Sequence, residues 1–179
     1  GIVHHRKGVD RLLEAWPLVQ ARYPEATLVL VGPLRSPSDG ATPDFMDTLH
    51  ALVDQYNIRL VGQQEEVQRF YQTADVFVLL SRMEGLPNAL LEAMACGVPT
   101  ISSPLPGVSE VIEHNTNGLL ISPGDPAALS DAVLCLLEHP DVANRLGNTA
   151  HQTIVKHYSL DTIAHCYSHL YNSLAETTR

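Results

Sequence analysis

The sequence predicts an α/β domain with a Rossmann-like, mostly parallel sheet flanked by helices. Three observations carry that prediction. Short apolar runs alternate with segments of helical periodicity along the 179 residues, and strands separated by helices pair in parallel through crossovers. The runs are nearly continuous rather than alternating, as strands covered on both faces should be. Most of them end in glycine or serine, which turn strands into loops.

Taken in order, Gly1-Ile2-Val3 reads as the tail of a strand, so the chain is expected to begin inside a longer protein. Val9, Leu12, Leu13, Trp16 and Val19 make a helical stripe. "ATLVLVG" (26–32) is a strand closed by glycine, and the polar segment "PLRSPSDGATP" (33–43) is a loop. Phe45, Leu49, Leu52 and Val53 mark a second helix, "IRLVG" (58–62) a strand, and 67–72 a short helix. "DVFVLLS" (75–81) is the clearest strand signal. The helix that follows spans about 87–96, with Pro87 suited to its first turn, Gly97 to its C′ position, and Pro99 preventing continuation. "PTISS" (99–103) and "GLLIS" (118–122) are strands around a helical turn near 109–113. Asp125 and Pro126 suit the N-cap and first position of a helix carrying Leu129, Ala132, Val133, Leu136 and Leu137. Two last helices start near Asp141 and Ser159, and Ile163, Tyr167, Leu170, Tyr171 and Leu174 line one face of the second. No repeat or linker divides the chain, so residues 1–179 read as one domain.

Composition narrows the function. A formal net charge of −9 argues against nucleic acid as the main partner, because phosphate-backbone binding needs a basic footprint. A small phosphorylated ligand needs only one or two local cations and stays open. No apolar run approaches the roughly 20 residues of a transmembrane helix, and no secretory segment opens the chain. Cys96, Cys135 and Cys166 show no pairing pattern, which fits free thiols in a reducing cytoplasm.

Ligands of open α/β sheets sit beyond the carboxyl ends of the strands. That rule brings Arg6, Lys7 and Glu84 to one crevice, with the loops after Val31 and Ser102. In "EGLPNALLEAMACGVPT" (84–100), Glu84 precedes the helix and Glu92 lies about one and a half turns inside it. N–H groups near Leu86 to Ala89 favour an anion or hydroxyl oxygens. A carboxylate accepts two hydrogen bonds at once, which matches vicinal hydroxyls. Two carboxylates around an anion-favouring helix end, opposite two cations, suit a sugar joined to a diphosphate. By spacing alone, Glu84 and Glu92 read as ordinary surface carboxylates; a solvated turn is the alternative, less favoured reading of Arg6 and Lys7. His4 and His5 read as exposed loop residues and Cys96 as helix-end packing. His165 and His169 have the i, i+4 spacing of some metal pairs, but no acid or third ligand accompanies them. The sequence holds no P-loop, no G-x-G-x-x-G and no metal motif.

These stretches together resemble the donor-binding C-terminal half of retaining glycosyltransferases of the GT-B fold, family 4 (group 1). The resemblance runs from "RKG" (6–8) to "YSLD" (158–161), through "LVLVGP", "ADVFVLLS", the E-x7-E pair Glu84 and Glu92, "PGVSEVI" and "NGLLISPGDPAAL". It implies that Lys7 contacts the donor diphosphate with Arg6 nearby and that Glu84 holds hydroxyls of the transferred sugar. It implies that the backbone of Gly85, Leu86, Pro87 and Asn88 touches sugar or phosphate, and that Glu92 takes the ribose hydroxyls. Val61 and Gly62 would lie by the base, and Gly32 would open the turn after the second strand. The donor would be a UDP- or GDP-linked sugar with no metal cofactor. An N-terminal acceptor domain would pack on the last helix, and the isolated half would bind nucleotide without turning over.

Two departures stand out. The family has Gly-Arg where this chain has Gly1-Ile2, and its glycine-rich turn is here "GPLRSPSDG" (32–40). The missing arginine keeps open a non-catalytic association module, and the shared architecture keeps open a nucleotide-sugar epimerase-like domain. The intact E-x7-E favours the transferase.

Overall fold

The computed structural model describes residues 1–34, 43–122 and 124–177. Most of the 33–43 loop, with the stretch in place of the family's glycine-rich turn, lies outside them.

A 3-10 turn at His5–Lys7 leads into α1 (Val9–Arg22), β1 (Leu28–Val31), α2 (Pro43–Gln55), β2 (Ile58–Gly62) and α3 (Val67–Thr73). Then come β3 (Phe77–Leu79), α4 (Asn88–Ala95), β4 (Thr100–Ser102), α5 (Pro106–Ser109) and β5 (Leu119–Leu120). The chain closes with α6 (Pro126–Glu138), α7 (Pro140–His157) and α8 (Leu160–Thr177). Every named strand pairing is parallel, as βαβ crossovers require. Leu28, Val29 and Leu30 sit opposite Ile58, Arg59 and Leu60, and a register shift then sets Val31 against Gly62. Phe77 pairs with Thr100 and Ile101 with Leu119, which makes a second sheet in the order β3-β4-β5.

The N-terminal residues behave as a strand tail. Val3 is buried, bridges Leu34 in parallel, and donates its N–H to the Pro33 carbonyl at 3.0 Å. They run along the carboxyl end of β1. Farther down, β1 and β3 do not pair, and a cavity of about 1060 Å³ touches every residue of both strands.

Apolar burial follows the sequence stripes. Leu13, Trp16 and Val19 of α1 join Leu129, Val133 and Leu136 of α6 in one cluster. Leu90 and Met94 of α4 meet Ala150 and Ile154 of α7 in the other, with Val108 of α5. Asp125 caps α6 by accepting from the Ala127 and Ala128 amides at 3.0 and 3.1 Å, a motif worth about 1 kcal/mol.

Three expectations change. Pro87 is the N-cap of α4, with extended backbone (φ −77°, ψ 120°), so Asn88 takes the first helical position. The segment 75–81 forms a strand only over Phe77–Leu79, all half-buried, because its other edge faces the cavity instead of a neighbour. The turn expected near 109–113 starts earlier, at Pro106, whose fixed φ suits N1. The apolar face read on α8 lies in solvent: Tyr167, Leu170, Tyr171 and Leu174 are all at least half exposed.

Candidate functional site

The site begins at a turn that only glycine can close. His4 accepts the Arg6 N–H on its Nδ1 at 3.1 Å, which starts the 3-10 turn, and Gly8 ends it with φ +72°. A Cβ on Gly8 would lie 2.0 Å from the Leu80 carbonyl oxygen, so this turn rests directly on the end of β3. Arg82, just past β3, holds the other side. Its guanidinium grips both oxygens of Asp10 on α1, at 2.8 and 2.6 Å, and donates to the His5 carbonyl. Its backbone N–H reaches the Arg6 carbonyl at 2.9 Å. This planar two-point geometry is what a guanidinium does best.

The clamp sets Lys7 against Glu84. The ammonium pairs with Glu84 Oε1, and the buried Ser81 hydroxyl donates to the same oxygen at 2.9 Å. Both charged side chains are mostly covered, 23% exposed for Lys7 and 15% for Glu84. Burial pushes the Glu84 carboxyl up. Hydrogen bonds from Lys7 and Ser81, with the charges of Lys7 and Arg6, outweigh it and hold the group below its ordinary value. Asp10 follows the same logic: burial raises it, and Arg82 more than offsets the rise.

Lys7, Glu84, Leu86, Pro87, Asn88 and Ala89 line the mouth of the same cavity. Pro87 offers no side-chain cap to α4, which leaves the first helical amides, at lining residues Asn88 and Ala89, without one. Gly107 packs against the approach to α4; a Cβ there would meet the Gly85 carbonyl oxygen at 2.1 Å. Glu92 sits farther along the helix and is exposed. The Tyr71 hydroxyl, on α3, donates to its Oε2 at 3.0 Å. Burial, and then the bond to Glu92, raise the Tyr71 phenol well above its ordinary value.

The structure thus brings together Lys7, Glu84, Leu86, Pro87 and Asn88, with Glu92 beside them and Gly85 in the connecting loop. Arg6 is exposed and reaches Glu84 through its charge. Ile2, where the family has arginine, is half-buried on the cavity wall with Lys7. Gly32, Val61 and Gly62 form a separate corner at the end of β1 and β2, where the Gly32 N–H donates to the Gly62 carbonyl at 2.8 Å. Ser81, Arg82, Asp10 and Tyr71 carry no sequence signal for their roles, since their partners lie 3, 72, 72 and 21 residues away. Among the described residues, no group of three or more His, Cys, Asp or Glu is placed to hold a metal ion. No helix among them is long and apolar enough to cross a membrane.

Comparison with known proteins agrees with this geometry. The family described as glycosyl transferases group 1 matches residues 1–139. The chain is 31% identical over 150 residues to the N-acetyl-alpha-D-glucosaminyl L-malate synthase of Bacillus anthracis, covering 82% of this chain and 37% of that one. The fold superposes on Anabaena Alr3699/HepE in complex with UDP with a TM-score of 0.86, at 21% identity, over 97% of this chain and 47% of that one. It superposes on the C-terminal domain of a group 1 family glycosyl transferase (LpcC) from Francisella tularensis with a TM-score of 0.80, at 24% identity, over 89% of this chain and 84% of that domain. The chain spans less than half the length of the curated relatives it matches. It belongs to the group 1 glycosyltransferases and has the fold of one half of a GT-B enzyme.

Proposed function

We propose that this chain is the donor-binding half of an enzyme that transfers a sugar from a nucleoside-diphosphate sugar to an acceptor, with retention of configuration. The observation that carries the reading is the Lys7–Glu84 pair at the mouth beside the start of α4. A diphosphate entering there competes with Glu84 for the Lys7 ammonium. Lys7 then turns to phosphate oxygen, and Glu84 is released to accept hydroxyl hydrogen bonds from the sugar. As the sugar–phosphate bond breaks, charge builds on the departing diphosphate. Lys7, once turned, Arg6 and the amides of Gly85, Leu86 and Asn88 then stabilise it electrostatically, the kind of interaction that lowers such barriers most. These groups can carry that charge by themselves, so on this reading nucleotide binding survives chelation of divalent metals. Glu92, one and a half turns along α4, takes the ribose hydroxyls in place of the Tyr71 hydroxyl.

UDP is the favoured nucleotide, because the HepE structure that this fold matches holds UDP. Gly32, Val61 and Gly62 are assigned to the base. The exposed face of α8, with Leu160, Tyr167, Leu170 and Tyr171, is assigned to the acceptor-binding domain of the full-length enzyme. The three free cysteines suit a cytoplasmic setting. Calorimetric titration with UDP, GDP and ADP tests the reading. Saturable binding of one of them, weakened at least tenfold in Glu92→Ala and unchanged by EDTA, supports it. No binding at millimolar nucleotide, or binding indifferent to Glu92→Ala, overturns it.

A further inference from the structure

Two glycines let neighbouring backbone close on the two ends of α4. Gly107 in α5 meets the loop that enters the helix, and Gly147 in α7 meets the turn that leaves it. A Cβ on either would lie 2.1 Å from a carbonyl oxygen, that of Gly85 in the first case and that of Gly97 in the second. Gly107 stands in a helical turn and not at a positive φ. Glycine is a poor helix former, so the missing side chain at 107 serves the close approach and not the backbone conformation. We propose that Gly107 is a positioning residue of the donor site, which aims the Leu86 N–H at the distal phosphate of the nucleotide. The proposal rests on the donor-binding reading given above.

Peptide geometry is the first argument. The three atoms nearest a Cβ on Gly107 are the Gly85 carbonyl oxygen at 2.1 Å, its carbon at 2.6 Å and the Leu86 nitrogen at 3.2 Å. All three belong to one planar trans peptide unit. The oxygen leads toward α5, so the N–H on the opposite edge of that unit points away from it. Leu86 lines the mouth with Lys7 and Glu84, and its N–H makes no hydrogen bond among the described residues. An amide donor left open beside an ammonium suits a phosphate oxygen, since hydrogen bonds to charged acceptors are the strong ones.

Stiffness is the second. Ser103 is fully buried and donates its N–H to the Leu79 carbonyl of β3 at 3.1 Å, and Leu105 donates to the Ser103 carbonyl at 2.8 Å. Pro104 and Pro106 fix two more φ angles on this side. Val108 is fully buried in one cluster with Leu90 and Met94 of α4. Gly85 and Leu86, by contrast, are exposed. A Cβ at 107 is therefore accommodated by turning the 85–86 peptide and not by moving α5.

The test pairs Gly107→Ala with Gly147→Ala, which places an equal clash at the far end of α4. Backbone amide NMR spectra and titrations with UDP and UMP are recorded on the parent and both variants. Gly107→Ala is expected to shift the amides of 85 and 86 more than those of 103–109. It should weaken UDP about tenfold and leave UMP, which lacks the distal phosphate, within about twofold of the parent. Gly147→Ala should leave both ligands within about twofold, whatever it costs in stability. In the parent the Leu86 amide proton should move downfield on saturation with UDP and not with UMP, a reading that stands even if Gly107→Ala does not fold. Shifts confined to 103–109, unchanged UDP binding in Gly107→Ala, equal weakening of UDP and UMP, or the same split in Gly147→Ala overturns the proposal and leaves the donor reading intact. A parent that binds UDP without moving the Leu86 amide does the same. A parent that binds no UDP overturns the donor reading, and this proposal with it.

Discussion

The two carboxylates of the E-x7-E motif live in different surroundings. Glu84 is held by Lys7 and Ser81, mostly covered, and kept ionised by a turn that Gly8 and Arg82 lock to β3. Glu92 stands in solvent with one hydroxyl partner contributed by a different helix. Under the proposed function, the contrast is a division of labour. The charged end of the site is built before any ligand arrives, at a cost in fixed geometry. The other end is set by a single exchangeable hydrogen bond. Preorganisation is worth most where charge develops in a reaction, and least where hydroxyl recognition needs only an available acceptor.

Perturbing the locked region should therefore have the larger effects. Gly8→Ala drives a Cβ to within 2.0 Å of the Leu80 carbonyl oxygen at a positive φ. It is expected to cost about 3 kcal/mol and to lower the thermal midpoint by roughly 6–12 °C. A midpoint within 2 °C of the parent would mean that the turn is not locked. Arg82→Ala removes the two-point grip on Asp10, whose side chains are 37% and 29% exposed. Solvent screening limits the expected cost to about 1 kcal/mol by denaturant melting.

The two ends should also differ in their response to pH. Glu84 and Asp10 titrate below their ordinary values in the folded chain. Their contribution is in full force above the unfolded carboxyl values, near pH 4, and is lost as pH falls through the folded ones. Melting curves of the Glu84→Gln, Asp10→Asn double variant should lose less stability than the parent between about pH 4 and pH 2. Tyr71 works in the opposite sense. Its folded value is raised, so the unfolded phenol ionises first and stability falls as pH climbs past about 10. Tyr71→Phe should flatten that alkaline limb. At neutral pH it should cost no more than about 0.5–1 kcal/mol, the smallest effect of the series; a larger loss would make Tyr71 part of the fixed framework.

Much of this architecture can be read along the chain. Continuous apolar runs announce β1 and β2, helical stripes announce α1 and α6, and Asp125-Pro126 announces the start of α6. The pairing of Lys7 with Glu84 was accessible through the rule that gathers loops at the carboxyl edge of the sheet. What stayed hidden depends on distance in sequence. The Arg82–Asp10 grip spans 72 residues and the Tyr71–Glu92 bond 21, and neither residue type is unusual where it stands. Pro87 shows a subtler limit: its fixed φ suits both the N-cap and the first helical position, and only its ψ of 120° separates them. The stripe on α8 marks an apolar face that the other described residues leave at least half exposed at Tyr167, Leu170, Tyr171 and Leu174. Nor could "DVFVLLS" reveal that one edge of β3 borders an open slot.

The division of labour is tested most directly by titrating UDP and UDP-glucose against the parent chain, Glu84→Gln and Glu92→Ala. The account expects Glu92→Ala to weaken both ligands about tenfold, since both carry the ribose. It expects Glu84→Gln to bind UDP at least as tightly as the parent, because Lys7 no longer has to leave a carboxylate, while the extra affinity conferred by the sugar disappears. Equal losses for both ligands in both variants would contradict it, and would mean that the two carboxylates act as one undivided site.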